Sequence, residues 1–136
     1  MNKTIRKIIA LLALMMLALS SVAALAEEAI SPYASQEISS ASINLSKNKK
    51  ITYNVMVTRS DYVVEVDYCS LLKKDTDGKF KKVKSMDDAI PESCTGNMLV
   101  SRDISSYITE SGTYKVETSY TVGTTTRIKT SNERTF

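Results

Sequence analysis

The sequence predicts an all-β protein, a single antiparallel β-sandwich of about seven strands. Three observations support this prediction. Beyond the first 26 residues, the composition favours Ser, Thr, Tyr and Val, which suit pleated, half-buried strands. Apolar residues there recur with a period of two, and no window sustains the 3.6-residue period of a helix. Turn signals follow one another about every 8 to 12 residues, as they do in sandwich domains.

The first 26 residues have the pattern of a cleaved secretory signal peptide. Lys3, Arg6 and Lys7 precede the unbroken apolar run IIALLALMMLAL, and Ala24-Leu25-Ala26 forms a cleavage site of the A-x-A type. The apolar run is shorter than the roughly 20 residues that cross a bilayer, which favours cleavage over a retained anchor. We therefore expect a chain that is secreted, either free outside the cell or associated with its surface, without a transmembrane anchor after cleavage.

Removal of the signal peptide changes the charge balance. The chain has 18 basic and 15 acidic residues, and three of the basic residues lie in the signal peptide. The processed chain is therefore neutral, and its composition provides no argument for nucleic-acid binding. We expect three segments: a signal peptide (1–26), a flexible lead-in (27–35) and one β-sandwich domain (36–136).

The expected strands alternate with turn sequences such as SKNKK, TRSD, DTDG and ESG. They span 36–45, 50–58, 61–73, 79–86, 98–105, 112–122 and 125–131. Alternation assigns these side chains to the core: Ile51, Tyr53, Val55 and Val57 on the second strand, Val64, Val66 and Tyr68 on the third, and Tyr114, Val116, Tyr120 and Val122 on the sixth. The same rule places Cys69 on the outer face. The fourth strand, FKKVKS, is short and lysine-rich, as protected sheet edges are.

The segment ESGTYKV (110–116) resembles the approach to the sixth strand of immunoglobulin-like domains. Tyr114 is then the tyrosine of a tyrosine corner, and Val116 takes the place of the second core cysteine of antibody domains. The chain contains no tryptophan. The resemblance is therefore to the wider immunoglobulin-like or fibronectin-like sandwich, and it implies that fold.

Most of the processed chain also resembles a group of small secreted β-sandwich proteins of Gram-positive anaerobic bacteria. The residues that carry this resemblance are ISPY (30–33), ISSASINLS (38–46), the lysine-rich hairpin (73–84) and SGTYKVETSYTV (111–122). The resemblance implies an extracellular location and a sandwich fold, and it implies no activity.

The two cysteines, Cys69 and Cys94, predict a disulfide bond. An even number of cysteines in an exported single domain favours pairing, and an exposed free thiol is open to oxidation there. A bond between them closes a loop of about 25 residues and stabilises the fold by roughly 3.5 kcal/mol. The alternatives are a reducing environment, bonds between chains, or Cα atoms too far apart to be bridged.

Several kinds of catalytic and metal site are missing from the sequence. The chain has no histidine, which excludes a Ser-His-Asp triad, a Cys-His pair and the usual histidine-containing zinc sites. The segment DTDG (75–78) departs from a calcium loop at its fifth and twelfth positions, and Asp-Gly turn chemistry accounts for it. Glu65 and Asp67 share one face of a strand, which allows a carbohydrate-active hydrolase, but surface strands commonly carry such pairs. We expect no catalytic residue, no metal and no cofactor.

Six lysines on one hairpin form the most distinctive feature of the sequence: Lys73, Lys74, Lys79, Lys81, Lys82 and Lys84. They protect an exposed sheet edge, and they also suit attraction to anionic polymers of the cell envelope or to lipid headgroups. The resulting hypothesis is a secreted sandwich with a non-catalytic binding or structural role, with an envelope polymer or an extracellular protein as its partner. An inhibitor or effector that presents the loop 90–97, IPESCTGN, is the alternative, and an exposed loop anchored by a disulfide would favour it.

Overall fold

The computed structural model describes residues 37–136, which form two antiparallel sheets packed into a sandwich. The strands are β1 (Ile38–Leu45), β2 (Lys50–Val57), β3 (Val63–Lys74), β4 (Phe80–Ser85), β5 (Ser93–Thr95), β6 (Met98–Asp103), β7 (Thr113–Val122), β8 (Thr125–Thr130) and β9 (Arg134–Thr135). A short 3₁₀ helix, Asp87–Ala89, follows β4. The expected signal peptide (1–26) and lead-in (27–35) lie outside the described residues.

The strand order confirms the all-β sandwich. One sheet has the order β1-β2-β6, and the larger sheet has the order β4-β3-β7-β8, with β5 added to β3 and β9 added to β7. Because β4 pairs with β3, it belongs to the larger sheet, whereas the fourth strand of a constant-type immunoglobulin domain belongs to the other sheet. All seven expected strands occur within a few residues of their expected bounds. The short strands β5 and β9 were not predicted from the sequence.

Alternating apolar side chains from both sheets form the core. The inward faces of β2 and β7 are as predicted, with Val57 only half-buried; the fully or almost fully buried residues there are Ile51, Tyr53, Val55, Tyr114, Val116, Tyr120 and Val122. The rings of Tyr53 and Tyr120 meet edge to face at the centre, with their centroids 6.1 Å apart. Burial raises the pKa of both phenols, so both stay protonated and apolar packing is preserved.

The predicted faces of β3 are wrong beyond Val66. The register with β7 shifts between Val66 and Tyr68, where a β-bulge places one extra residue on β3. A bulge of one residue moves every later side chain to the opposite face. Cys69 is therefore fully buried, and Tyr68 lies half-buried on the outer face, the reverse of the sequence prediction.

The predicted disulfide between Cys69 and Cys94 is absent, and both thiols are free. Cys94 lies on β5 and pairs with Val64, five residues before Cys69 on β3. Five residues along a strand correspond to about 16 Å, whereas a disulfide needs Cα atoms within about 7 Å. The two cysteines are therefore too far apart to be bridged without moving the strand.

No helix within residues 37–136 combines the length and the apolar character needed to span a membrane.

Candidate functional site

The lysine hairpin is built by β3, a tight turn and β4. Asp75 shapes the turn: its carboxylate accepts hydrogen bonds from the backbone N–H groups of Asp77 and Lys79, at 2.9 and 3.0 Å. The ammonium of Lys81 lies 2.7 Å from the same carboxylate, and this contact is the main reason why the pKa of Asp75 is lowered. Gly78, with a φ of +78°, supplies the left-handed conformation that the turn requires. The DTDG segment thus acts as a hairpin turn.

Three of the six lysines are neutralised by carboxylates of the domain itself. Lys73 contacts Glu110 at 2.9 Å, Lys74 contacts Glu133 at 3.4 Å, and Lys81 contacts Asp75. In contrast, the ammonium groups of Lys79, Lys82 and Lys84 form no ion pair within residues 37–136. We call Lys73, Lys74 and Lys81 the structural set of lysines and Lys79, Lys82 and Lys84 the available set. The sequence does not reveal this division.

A seventh lysine joins the available set from another strand. Lys115 on β7 pairs across the sheet with Leu72 on β3, and its ammonium lies 4.2 Å from the centre of the Phe80 ring on β4. Because β3 lies between β7 and β4, the Lys115 side chain crosses β3 to reach that ring. This crossing, together with Lys82 opposite Leu72 on β4, explains why Leu72 is only 9% exposed on an outer face. Alternation in TYKVE assigns Lys115 outward, but no local signal shows which strand it faces.

A depression lies beside these lysines on the outer face of the larger sheet. Its volume is about 260 Å³, and it is lined by Tyr68, Ser70, Leu72, Lys82 and Glu117. The hydroxyl of Tyr68 donates a hydrogen bond to Glu117 Oε1 at 2.9 Å. Burial of the hydroxyl, followed by this hydrogen bond, raises the pKa of Tyr68.

Glu65 and Asp67, the residues of the hydrolase hypothesis, line a second cavity of about 320 Å³ together with Val66, Glu92 and Ser93. The carboxylate of Asp67 accepts hydrogen bonds from the hydroxyls of Ser119, at 2.9 Å, and Thr121, at 3.1 Å. These contacts tie the bulge of β3 to β7. Asp67 therefore has a structural role that the sequence did not reveal.

The loop 90–97 is partly built into the sheet. Its residues 93–95 form β5, which pairs with Val63, Val64 and Glu65. An exposed loop anchored by a disulfide would have favoured an inhibitor or effector. The loop 90–97 is not anchored in this way, because both cysteines are free. Cys94 is half-buried, and its thiol donates to the carbonyls of Thr95 and Asn97, at 3.6 Å each.

Burial raises the pKa of the Cys69 thiol to about 11, which keeps it protonated and unreactive at neutral pH.

Tyr114 and Val116, the residues of the immunoglobulin-like pattern, both lie in the core. The hydroxyl of Tyr114 donates a hydrogen bond to the carbonyl of Glu110 at 2.9 Å, which is the contact of a tyrosine corner. The Glu110 side chain in turn pairs with Lys73, whose ammonium also lies 5.6 Å from the centre of the Tyr114 ring. The residue whose carbonyl accepts the hydrogen bond of the corner thus also neutralises one lysine of the hairpin through its carboxylate.

Within residues 37–136, no group of three or more cysteine or carboxylate side chains lies close enough together to bind a metal ion. Comparison of the chain with protein-family models, with curated proteins and with solved structures found no match.

Proposed function

We propose that this chain is an exported, non-catalytic binding protein that attaches to anionic polymers of the bacterial cell envelope. The binding surface in this proposal is the available lysine set, which comprises Lys79, Lys82, Lys84 and Lys115. One observation carries the proposal: these four ammonium groups form no ion pair with a carboxylate of residues 37–136, and three of them belong to the β3–β4 hairpin, with Lys115 on the neighbouring strand β7. The N-terminal signal pattern supports export, and membership of the secreted sandwich group that the sequence resembles would agree with it.

The chemistry of the surface favours polymers over a small buried ligand. Lys79, Lys82 and Lys84 are exposed on the hairpin turn and on the edge strand β4, and Lys115 is half-buried on β7. A lysine near an anionic surface contributes about 1 kcal/mol, and repeated charges on a polymer allow several such contacts at once. Contacts of this kind weaken with salt, since the Debye length falls from about 10 Å at 0.1 M to about 3 Å at 1 M.

The proposal is tested by binding to polyphosphate, a polyanion without other functional groups. We expect the triple variant Lys79→Ala, Lys82→Ala, Lys115→Ala to bind on the order of 100-fold more weakly, because three contacts of about 1 kcal/mol are lost. The matched control is Lys47→Ala, Lys50→Ala, Lys129→Ala, which removes the same total charge from other exposed positions. Equal losses in the two variants, or binding that persists in 1 M salt, would contradict the proposal.

A further inference from the structure

The depression on the outer face of the larger sheet has a structural origin in residue size. Ser70 forms its floor at the middle of β3, paired with Glu117 on β7 and with Ser85 on β4. Serine side chains are short, whereas Tyr68, Leu72, Lys82 and Glu117 around Ser70 are long. The result is a recess on a sheet face rather than a gap in the core.

Glu117 and Tyr68 give one side of the recess an ordered acceptor and an aromatic ring. The Tyr68 hydroxyl donates a hydrogen bond to Glu117 Oε1 at 2.9 Å and so orients the carboxylate at the edge of the recess. A carboxylate oxygen held in this way accepts hydrogen bonds from hydroxyl groups. The half-buried Tyr68 ring adds an apolar surface beside it.

Lys82 occupies the other side. It lines the recess, whereas the Lys115 ammonium lies 4.2 Å from the centre of the Phe80 ring, outside the lining residues. Neither ammonium forms an ion pair with a carboxylate of the described residues, Glu117 included. The recess therefore presents a carboxylate that accepts hydrogen bonds from hydroxyl groups on one side and the Lys82 cation on the other.

We infer that this recess binds an acidic sugar residue, with its hydroxyl groups on Glu117, its ring against Tyr68 and its anionic group near Lys82. The inference rests on the proposed function and names the class of polymer: a glycan whose sugar rings bear anionic groups. A polyanion without hydroxyl groups fits the recess poorly, since the Glu117 carboxylate repels it. The hydroxyl groups of a sugar ring, in contrast, can donate hydrogen bonds to the same carboxylate.

The opposite effects of Glu117 on the two ligand classes provide the test. Binding of the full processed chain is measured by titration calorimetry with alginate, a polymer of uronic acids, and with polyphosphate. We expect Glu117→Gln to weaken alginate binding about fivefold, because a charged acceptor is lost, and to leave polyphosphate binding unchanged or stronger. Ser70→Leu, which fills the recess, should weaken alginate binding and spare polyphosphate binding.

The controls separate this inference from the proposed function. Glu133→Gln removes a carboxylate from the same edge of the domain, outside the recess, and should not weaken alginate binding selectively. If Ser70→Leu fails to fold by circular dichroism, the surface variant Glu117→Gln decides alone. If both polymers bind through the lysines and Glu117→Gln affects them equally, the recess is not a sugar site, while the proposed function stands. If neither polymer binds, both are wrong.

Discussion

At the scale of single residues, identical side chains in one hairpin have different roles. Lys73 lies against the Tyr114 ring and pairs with Glu110, so it belongs to the packing around the tyrosine corner. Lys82 lies on the outer face and has no such ion-pair partner among the described residues. Charge counted along the sequence therefore overstates the number of lysines that can meet a ligand. Burial and ion pairing, which depend on distant residues, decide which ones remain available.

The same distinction separates core residues from surface residues in their effect on stability. We expect Val116→Ala to lower the free energy of unfolding by about 2 kcal/mol, because Val116 is fully buried and its truncation leaves a cavity. Lys82→Ala should change it by less than about 0.5 kcal/mol, since the side chain is exposed. Urea denaturation of both variants measures the difference. Equal effects would mean that the faces of the larger sheet are assigned wrongly.

The candidate site was only partly predictable at this scale. The six hairpin lysines are adjacent in the sequence, so composition alone identifies them. Tyr68, Glu117 and Lys115 come together through cross-strand pairing between β3 and β7, nearly 50 residues apart in the chain. Period-2 alternation gives the face of a residue but not its neighbour on the next strand. The recess was therefore beyond the reach of pattern analysis.

At the scale of elements, β3 organises the larger sheet, and its outer edge is completed by three different partners. β4 pairs with its C-terminal half as far as Ser70, and β5 pairs with its first residues. Between them, the Asp87 carboxylate accepts hydrogen bonds from the backbone N–H of Cys69, at 2.8 Å, and from the Ser85 hydroxyl, at 2.6 Å. A side chain thus takes the place of a strand in the gap between β4 and β5 along this edge of β3.

This contact makes part of the stability depend on pH. The hydrogen bonds from Cys69 N–H and then Ser85 lower the pKa of Asp87 below its ordinary value of 3.8. Because the folded-state pKa is depressed, the stabilisation is present above about pH 4 and is lost as the pH falls through the folded-state value. We expect Asp87→Asn to be less stable than the natural chain by about 1 kcal/mol at pH 7.

The difference between Asp87→Asn and the natural chain should shrink as the pH falls below about 4, because protonation of the carboxylate at its lowered folded-state pKa removes the stabilisation. Urea denaturation at pH 7, 5, 4 and 3 measures it, with Asp77→Asn as the control, because the Asp77 side chain makes no hydrogen bond or ion pair within residues 37–136. A stability difference that stays constant with pH would show that Asp87 acts through packing rather than through its charge.

Strand prediction succeeded where alternation is regular and failed where it is interrupted. β2 and β7 keep their period, and their buried faces were predicted from the sequence. In β3, the extra residue at the bulge breaks the period between two apolar stretches, and nothing in VVEVDYCSLL marks its place. β5 and β9 have only three and two residues, too few for a periodic signal.

At the scale of the whole molecule, the sandwich relies on its core and on protected edges rather than on a covalent link. The edge strands β4 and β8 carry Lys81, Lys82 and Lys84 in one case and Arg127 and Lys129 in the other. Cationic side chains on edge strands hinder pairing with other chains. For a domain near 100 residues, total stability is typically 5 to 15 kcal/mol, so the missing disulfide of roughly 3.5 kcal/mol is a substantial difference.

The state of the two thiols can be measured on the native protein. Cys69 is fully buried and its pKa is raised to about 11, whereas Cys94 is half-exposed on β5. We therefore expect iodoacetamide to add one label per native chain, at Cys94, and two after denaturation without any reductant. Dithiothreitol should leave the thermal midpoint unchanged. If a bond of roughly 3.5 kcal/mol joined the cysteines, its reduction would lower the midpoint by roughly 15 °C or more in a domain of this size, and the unreduced, denatured chain would take up no label.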